Sequence, residues 1–220
     1  MSLADKKLIT CPKCGTKNYK DVYGSINVTN DYELRDMVLN GDIFNYHCAA
    51  CGLNTKMYYP FLYHDMKHKF MIQFDPSNDY DENEFKVITN MNPMQGYKYR
   101  IVNKPFMLID KILLLESKYD DKVIEVLKEF LKAANNTADV AALSFAVTKD
   151  NTYEFICINS ANEAIGIIPF NDDLYQMIYD KFYSKLKDID KYHIDKDFAE
   201  AFLNEVEIWQ TRKCLTHLRN

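Results

Sequence analysis

Two pairs of thiols, each set two residues apart, carry the chemistry of this sequence: Cys11-Pro12-Lys13-Cys14-Gly15 and Cys48-Ala49-Ala50-Cys51-Gly52. Sulfurs at that spacing in a tight turn can address a single atom. The glycine after each pair lets the backbone fold back with its N–H groups toward them. Two such turns supply the four soft ligands of a tetrahedral site, so Cys11, Cys14, Cys48 and Cys51 are read as the ligands of one structural zinc ion. Iron fits the same thiolates; zinc is preferred because one four-cysteine set flanked by strand signals is a ribbon pattern. A redox Cys-x-x-Cys, the competing chemistry, needs only one pair and a helix opening directly behind it.

The remaining reactive side chains weigh less. His47 precedes a ligand, but along a strand it points away from the side of Cys48, which makes it a surface residue. His64-Asp65 places an imidazole beside a carboxylate, a combination that can tune a base or bind a metal. Neighbours in an extended segment face apart, so a hydrogen-bonding or turn-forming role is preferred for the pair. Cys157 alternates with Tyr153 and Phe155 and reads as a buried thiol, and Cys214 with His217 would be half of a metal site lacking its other half. The aromatics of residues 44–74 are either stacking platforms for single-stranded nucleic acid or the filling of a small β core, and the core is preferred. No glycine-rich phosphate loop, Ser-His-Asp motif or dinucleotide fingerprint occurs, and six glycines leave little material for phosphate cradles.

The elements that must position the cysteines follow from pattern. Leu8 and Ile9 start a strand into the first turn, and Asn18–Thr29 leaves it as a strand kinked at Gly24. Asn30 as cap with Glu33 three residues on, then Leu34, Met37 and Val38, predicts a short helix stopped at Asn40-Gly41. That insertion accounts for the 33 residues between Cys14 and Cys48. Phe44, Tyr46 and Cys48 alternate in a strand that delivers the second turn; Thr55–Tyr63 departs from it, with Pro60 at an edge or bulge, and Phe70–Phe74 returns. Residues 75–84 read as an exposed loop, and Phe85-Lys86-Val87-Ile88 and Tyr97–Ile101 as short strands. From Pro105 the period is helical, with a second helix capped by Asp120 or Asp121 and ending at Asn135-Asn136-Thr137. Strands follow at 140–147, 152–159 and 164–168, then helices at 172–186 and about 198–214.

These residues resemble the CpXC protein family, which takes its name from its Cys-Pro-x-Cys motif and occurs mainly in bacteria and some archaea. The likeness is carried by Cys11-Pro12-Lys13-Cys14-Gly15, Ser25-Ile26-Asn27-Val28-Thr29, Cys51-Gly52 and Tyr59-Pro60-Phe61-Leu62-Tyr63-His64-Asp65. It continues from Asp110-Lys111-Ile112 through Asp120-Asp121-Lys122-Val123-Ile124-Glu125, so that it spans roughly residues 8–132. The second pair departs from the pattern by carrying Ala49 where the motif has proline, which leaves the ligands intact and loosens the turn. The resemblance implies a metal site and no defined reaction.

Composition bounds the rest. A chain of 220 residues with 47% hydrophobic residues can bury a substantial core. No apolar run of signal-peptide length opens it, and no stretch of 18 apolar residues occurs, so a cytoplasmic location without membrane contact is expected. Six cysteines in such a compartment argue for reduced thiols and metal ligation over disulfides. The net charge of −5 opposes a dominant phosphate-binding surface.

The expected fold is α+β. Residues 1–135 form a zinc-ribbon-like antiparallel β domain with an inserted short helix, its ribbon core at about 8–75 and a helical hairpin at about 104–134. Residues 136–220 form a small α+β portion, a three-strand meander followed by helices. The expected function is a non-enzymatic zinc-binding module, with one structural Zn2+ and a protein partner. A nucleic-acid-binding zinc ribbon is the alternative, and an enzyme using His64 and Asp65 is the second alternative.

Overall fold

The computed structural model describes residues 2–79, 81–91, 96–135 and 139–206. Contacts divide the chain into two compact units, Met1–Ile109 and Asp110–Asn220. The sequence places its boundary at 135, where a helix ends; the division of contacts falls inside the preceding helix, Pro105–Glu116.

The first unit is built on a five-stranded sheet of β1 (Leu3–Thr10), β2 (Lys17–Asn27), β5 (Phe61–Asp65), β6 (Phe70–Phe74) and β7 (Lys98–Val102), in the order β1-β2-β5-β6-β7. Between β2 and β5 lie a helix α1 (Glu33–Leu39), a 3-10 turn at Asp42–Phe44 and a separate two-stranded ribbon, β3 (Asn45–His47) with β4 (Asn54–Lys56). The sheet is mixed, which corrects the antiparallel arrangement expected from sequence: β2 runs parallel to β5, and β6 parallel to β7. The reason lies in the connections. Both parallel pairs are joined through an intervening helical crossover, α1 for the first and α2 (Glu82–Met91) for the second, long enough to carry the chain back to its starting end.

Three local readings are also corrected. Thr55–Tyr63 is not one strand; Pro60 splits it into β4 and β5, which belong to different sheets. Asn30 does not cap α1: the residue before the helix is Tyr32, and it is Asn27 whose side chain accepts the Thr29 and Asn30 N–H groups. The stop at Gly41 holds, with φ of +71°. Residues 85–88 are helical within α2, because Phe85 is 1% exposed while Val87 is 56% exposed. A strand would have put both on one face.

The core of the first unit gathers the aromatics of residues 44–74. Phe44, Tyr59, Phe61 and Phe74 pack ring against ring with centroids 5.5–6.1 Å apart, and every residue of the interior strand β6 is buried. These rings fill a β core.

In the second unit, β8 (Ala142–Val147), β9 (Tyr153–Ile158) and β10 (Ala164–Pro169) form the expected antiparallel meander. The remaining helices are α3 (Pro105–Glu116), α4 (Asp121–Asn135), α5 (Asp172–Leu186) and α6 (Lys196–Glu205). Asp120 accepts the Lys122 and Val123 N–H groups at the start of α4; Asn171 and Asp195 do the same for α5 and α6. Helix α4 packs against α5 and α6 around Val123, Leu127, Phe182 and Phe202. No helix among the described residues is long and apolar enough to cross a membrane.

Candidate metal centre

The two cysteine turns are copies of one another. Thr10 pairs with Lys17 at the end of the β1–β2 ribbon, and His47 with Asn54 at the end of β3–β4, so a six-residue turn closes each hairpin. In both, the first cysteine donates its N–H to the sixth residue: Cys11 to the Thr16 carbonyl and Cys48 to the Leu53 carbonyl, each at 2.9 Å. In both, the glycine N–H returns to the carbonyl of the first cysteine, Gly15 to Cys11 at 3.0 Å and Gly52 to Cys48 at 2.9 Å. Gly15 and Gly52 adopt φ of +73° and +69°, a conformation that disfavours any residue with a Cβ. The turn at Ala49 is as tight as the one at Pro12, so proline is not what shapes it.

The hairpin tips bring all four sulfurs together, with every Sγ within 4.8 Å of the others. Cys11 lies 3.7 Å from Cys51, and Cys14 lies 3.7 Å from Cys48, so each close pair joins one hairpin to the other. A zinc–sulfur bond of about 2.3 Å makes the edge of a tetrahedron of sulfurs about 3.8 Å. The observed spacing has that value, and it is far beyond a disulfide bond of about 2.05 Å. Cys11 and Cys48 are buried, Cys51 is half-buried and Cys14 is exposed. Beneath them Tyr46 is buried, with Ile9, Leu53 and Met57 packed around it.

Donors surround the sulfurs. Burial works to raise the Cys48 thiol, but the Cys51 and Ala50 N–H groups outweigh it and bring the group down to about 6. The Thr16 hydroxyl and N–H hold Cys14 below its ordinary value. At Cys51 the Leu53 N–H pulls down, yet burial and the adjoining sulfurs of Cys14, Cys48 and Cys11 push the thiol up to about 12. Lys13 N–H stands 3.4 Å from Cys11 Sγ, and Asn18 Nδ2 stands 3.4 Å from Cys48 Sγ. Asn18 and Thr16 were not singled out by sequence, since neither type nor spacing separates them from ordinary strand residues.

The other candidates fall elsewhere. His47 is exposed and its Nδ1 lies 2.7 Å from Asn54 Oδ1, as a surface residue. The side chains of His64 and Asp65 do not meet: His64 Nε2 lies 3.2 Å from the Tyr97 hydroxyl. Buried Asp65 instead accepts from the His68 N–H at 3.0 Å, and its other oxygen is 2.6 Å from His68 Nδ1. Cys157 is a buried thiol in β9, raised by that burial. Cys214 and His217 lie outside the described residues.

In comparison with known proteins, the model of a family described as CpXC protein matches residues 9–128. That span holds both cysteine turns. No curated protein and no solved structure matches the chain.

Proposed function

This chain belongs to the CpXC protein family, and from that premise we propose that it is a zinc-stabilised interaction module in which Cys11, Cys14, Cys48 and Cys51 hold one structural Zn2+. The observation that carries the reading is the 3.7 Å spacing of Cys11 to Cys51 and of Cys14 to Cys48, the edge length that four thiolates take around zinc. Four protein ligands close the coordination shell and leave no position for a substrate, so the ion's part is to join two hairpins. Bound thiolates belong to a reducing compartment, which favours the cytoplasm. The absence of a phosphate loop or nucleophile motif from the sequence and the separation of His64 from Asp65 favour binding over catalysis.

Metal content of protein purified without added metal tests the reading, together with a Cys48→Ala variant. One zinc per chain, lost from the variant along with order in the two hairpins, is the expected result. Protein free of metal whose thiols cycle reversibly to disulfides makes it a redox protein instead.

A further inference from the structure

The β1–β2 ribbon has one covered face and one bare face. Residues opposed in an antiparallel pair project to the same side. Ile9 with Asn18 and Lys7 with Lys20 make one such set. There Ile9 packs on the core beneath the cysteines, Asn18 reaches Tyr46 and Cys48, and Lys20 donates to the Ile43 and Asn45 carbonyls. Thr10 with Lys17, Leu8 with Tyr19 and Lys6 with Asp21 make the other set. Its centre is apolar and open, with Leu8 49% and Tyr19 72% exposed.

The same ribbon carries an open edge. β1 ends the strand order of its sheet, and each of its residues except Ile9 is exposed. An edge of that kind offers a row of backbone donors and acceptors to another chain. Charge selects which chain. Residues 3–23 hold Lys6, Lys7, Lys13, Lys17 and Lys20 against Asp5 and Asp21, a basic segment in a chain of net charge −5.

Resting on the interaction-module reading, we propose that the edge of β1 takes an extended acidic segment of a partner protein as an added strand. Backbone bonds form along Ala4–Thr10; the carboxylates of an alternating strand line the Lys7 side, and its apolar side chains cover Leu8 and Tyr19 on the opposite face. A peptide uses the edge donors and acceptors, whereas a nucleic acid has no use for them. Stacking a strand of bases needs successive open rings, and this face presents one fully open ring, Tyr19.

The test is fluorescence anisotropy of a labelled octapeptide of alternating Glu and Val against the zinc-loaded full chain at low salt. Saturable binding is expected. A Lys6→Glu/Lys7→Glu double variant that keeps its zinc binds at least about tenfold more weakly. Two further peptides, N-methylated on the odd or on the even amides, separate ladder pairing from charge attraction. One of them loses binding by at least about tenfold, because alternate N–H groups face the edge, and the other does not. Equal binding of all three peptides overturns the added strand, as does tighter binding of oligodeoxythymidine than of the parent peptide. Failure of every peptide to bind a chain carrying one zinc overturns the edge proposal and leaves the metal reading intact; a chain without zinc overturns the metal reading itself.

Discussion

The carboxamide of Asn18 stands 3.4 Å from the sulfur of Cys48, carrying a donor from one hairpin onto a thiol of the other. The same Nδ2 lies 3.1 Å from the Tyr46 hydroxyl and 3.3 Å from the Thr16 carbonyl, which fixes its direction. A donor aimed at a thiolate offsets part of its charge and orients it. Asn18→Ala therefore weakens zinc affinity about tenfold, the lower end of what such supporting contacts contribute. Competition with a chromophoric chelator measures it, and an unchanged affinity removes Asn18 from the site.

Chelation tests how far the influence of the proposed zinc extends. Zinc binding at a site of this kind contributes on the order of 10–16 kcal/mol, comparable to the whole stability of a domain at roughly 5–15 kcal/mol. β3 and β4 are three residues each, and besides the sulfurs they are tied to the β1–β2 ribbon by Asn18, Lys20 and the small apolar cluster around Tyr46. Hydrogen exchange after metal removal is expected to show lost protection in β1–β4 and retained protection in β8–β10. Uniform loss along the chain, or none, contradicts a metal whose role is local.

The parts of this fold that sequence made legible are those fixed by neighbours in the chain. Each cysteine turn depends on six consecutive residues and a glycine with positive φ, and both were readable at once. The loss of Pro12's counterpart at Ala49 looked like a weakness, but the Gly52 N–H bond to Cys48 holds the turn without it. Helix α5 is legible from Asp172 to about Leu186 because Leu174, Ile178, Phe182 and Leu186 recur at helical spacing; the Asn171 cap and the burial of Tyr175 in place of Leu174 are known only from the structure. What was hidden depends on distant partners. Phe85 and Val87 alternate like a strand, and only burial of the first without the second shows a helix. The parallel pairing of β2 with β5 is decided by where the intervening chain returns, which no local pattern encodes.

Most hidden of all was a cluster of charges inside the second unit. Lys111 Nζ lies 2.8 Å from Glu125, 3.7 Å from Asp121 and 2.6 Å from the Ile194 carbonyl, and Lys128 lies 2.7 Å from Asp110 and 3.0 Å from Glu125. Asp110 also accepts the Phe145 N–H. Burial works to raise the Glu125 carboxyl, and the two lysines outweigh it and hold it low. Removing one partner leaves buried carboxylates uncompensated. Lys111→Met is expected to destabilise the chain by about 3–5 kcal/mol, read from denaturant midpoints. A cost below about 1 kcal/mol, the range of a surface pair, shows that water already reaches the cluster.

His64 gives the pH dependence. Its ring is half-buried beside Tyr97, and burial lowers its pKa from 6.5 although the charge of Asp65 pulls the other way. The unfolded chain, with the ordinary value, therefore takes up this proton first as pH falls. Stability from the neutral ring is fully present above about 6.5 and is lost as pH drops through the lower folded value. His64→Gln keeps a polar partner for the Tyr97 hydroxyl and has no proton to gain. Between pH 7 and pH 5, roughly the window in which histidine titrates, the parent chain is expected to lose more stability than the variant. Both chains carry the same four cysteines, so acid release of zinc cancels in the difference. Parallel loss in the two chains, measured by chemical denaturation at each pH, shows that His64 is as open to water folded as unfolded.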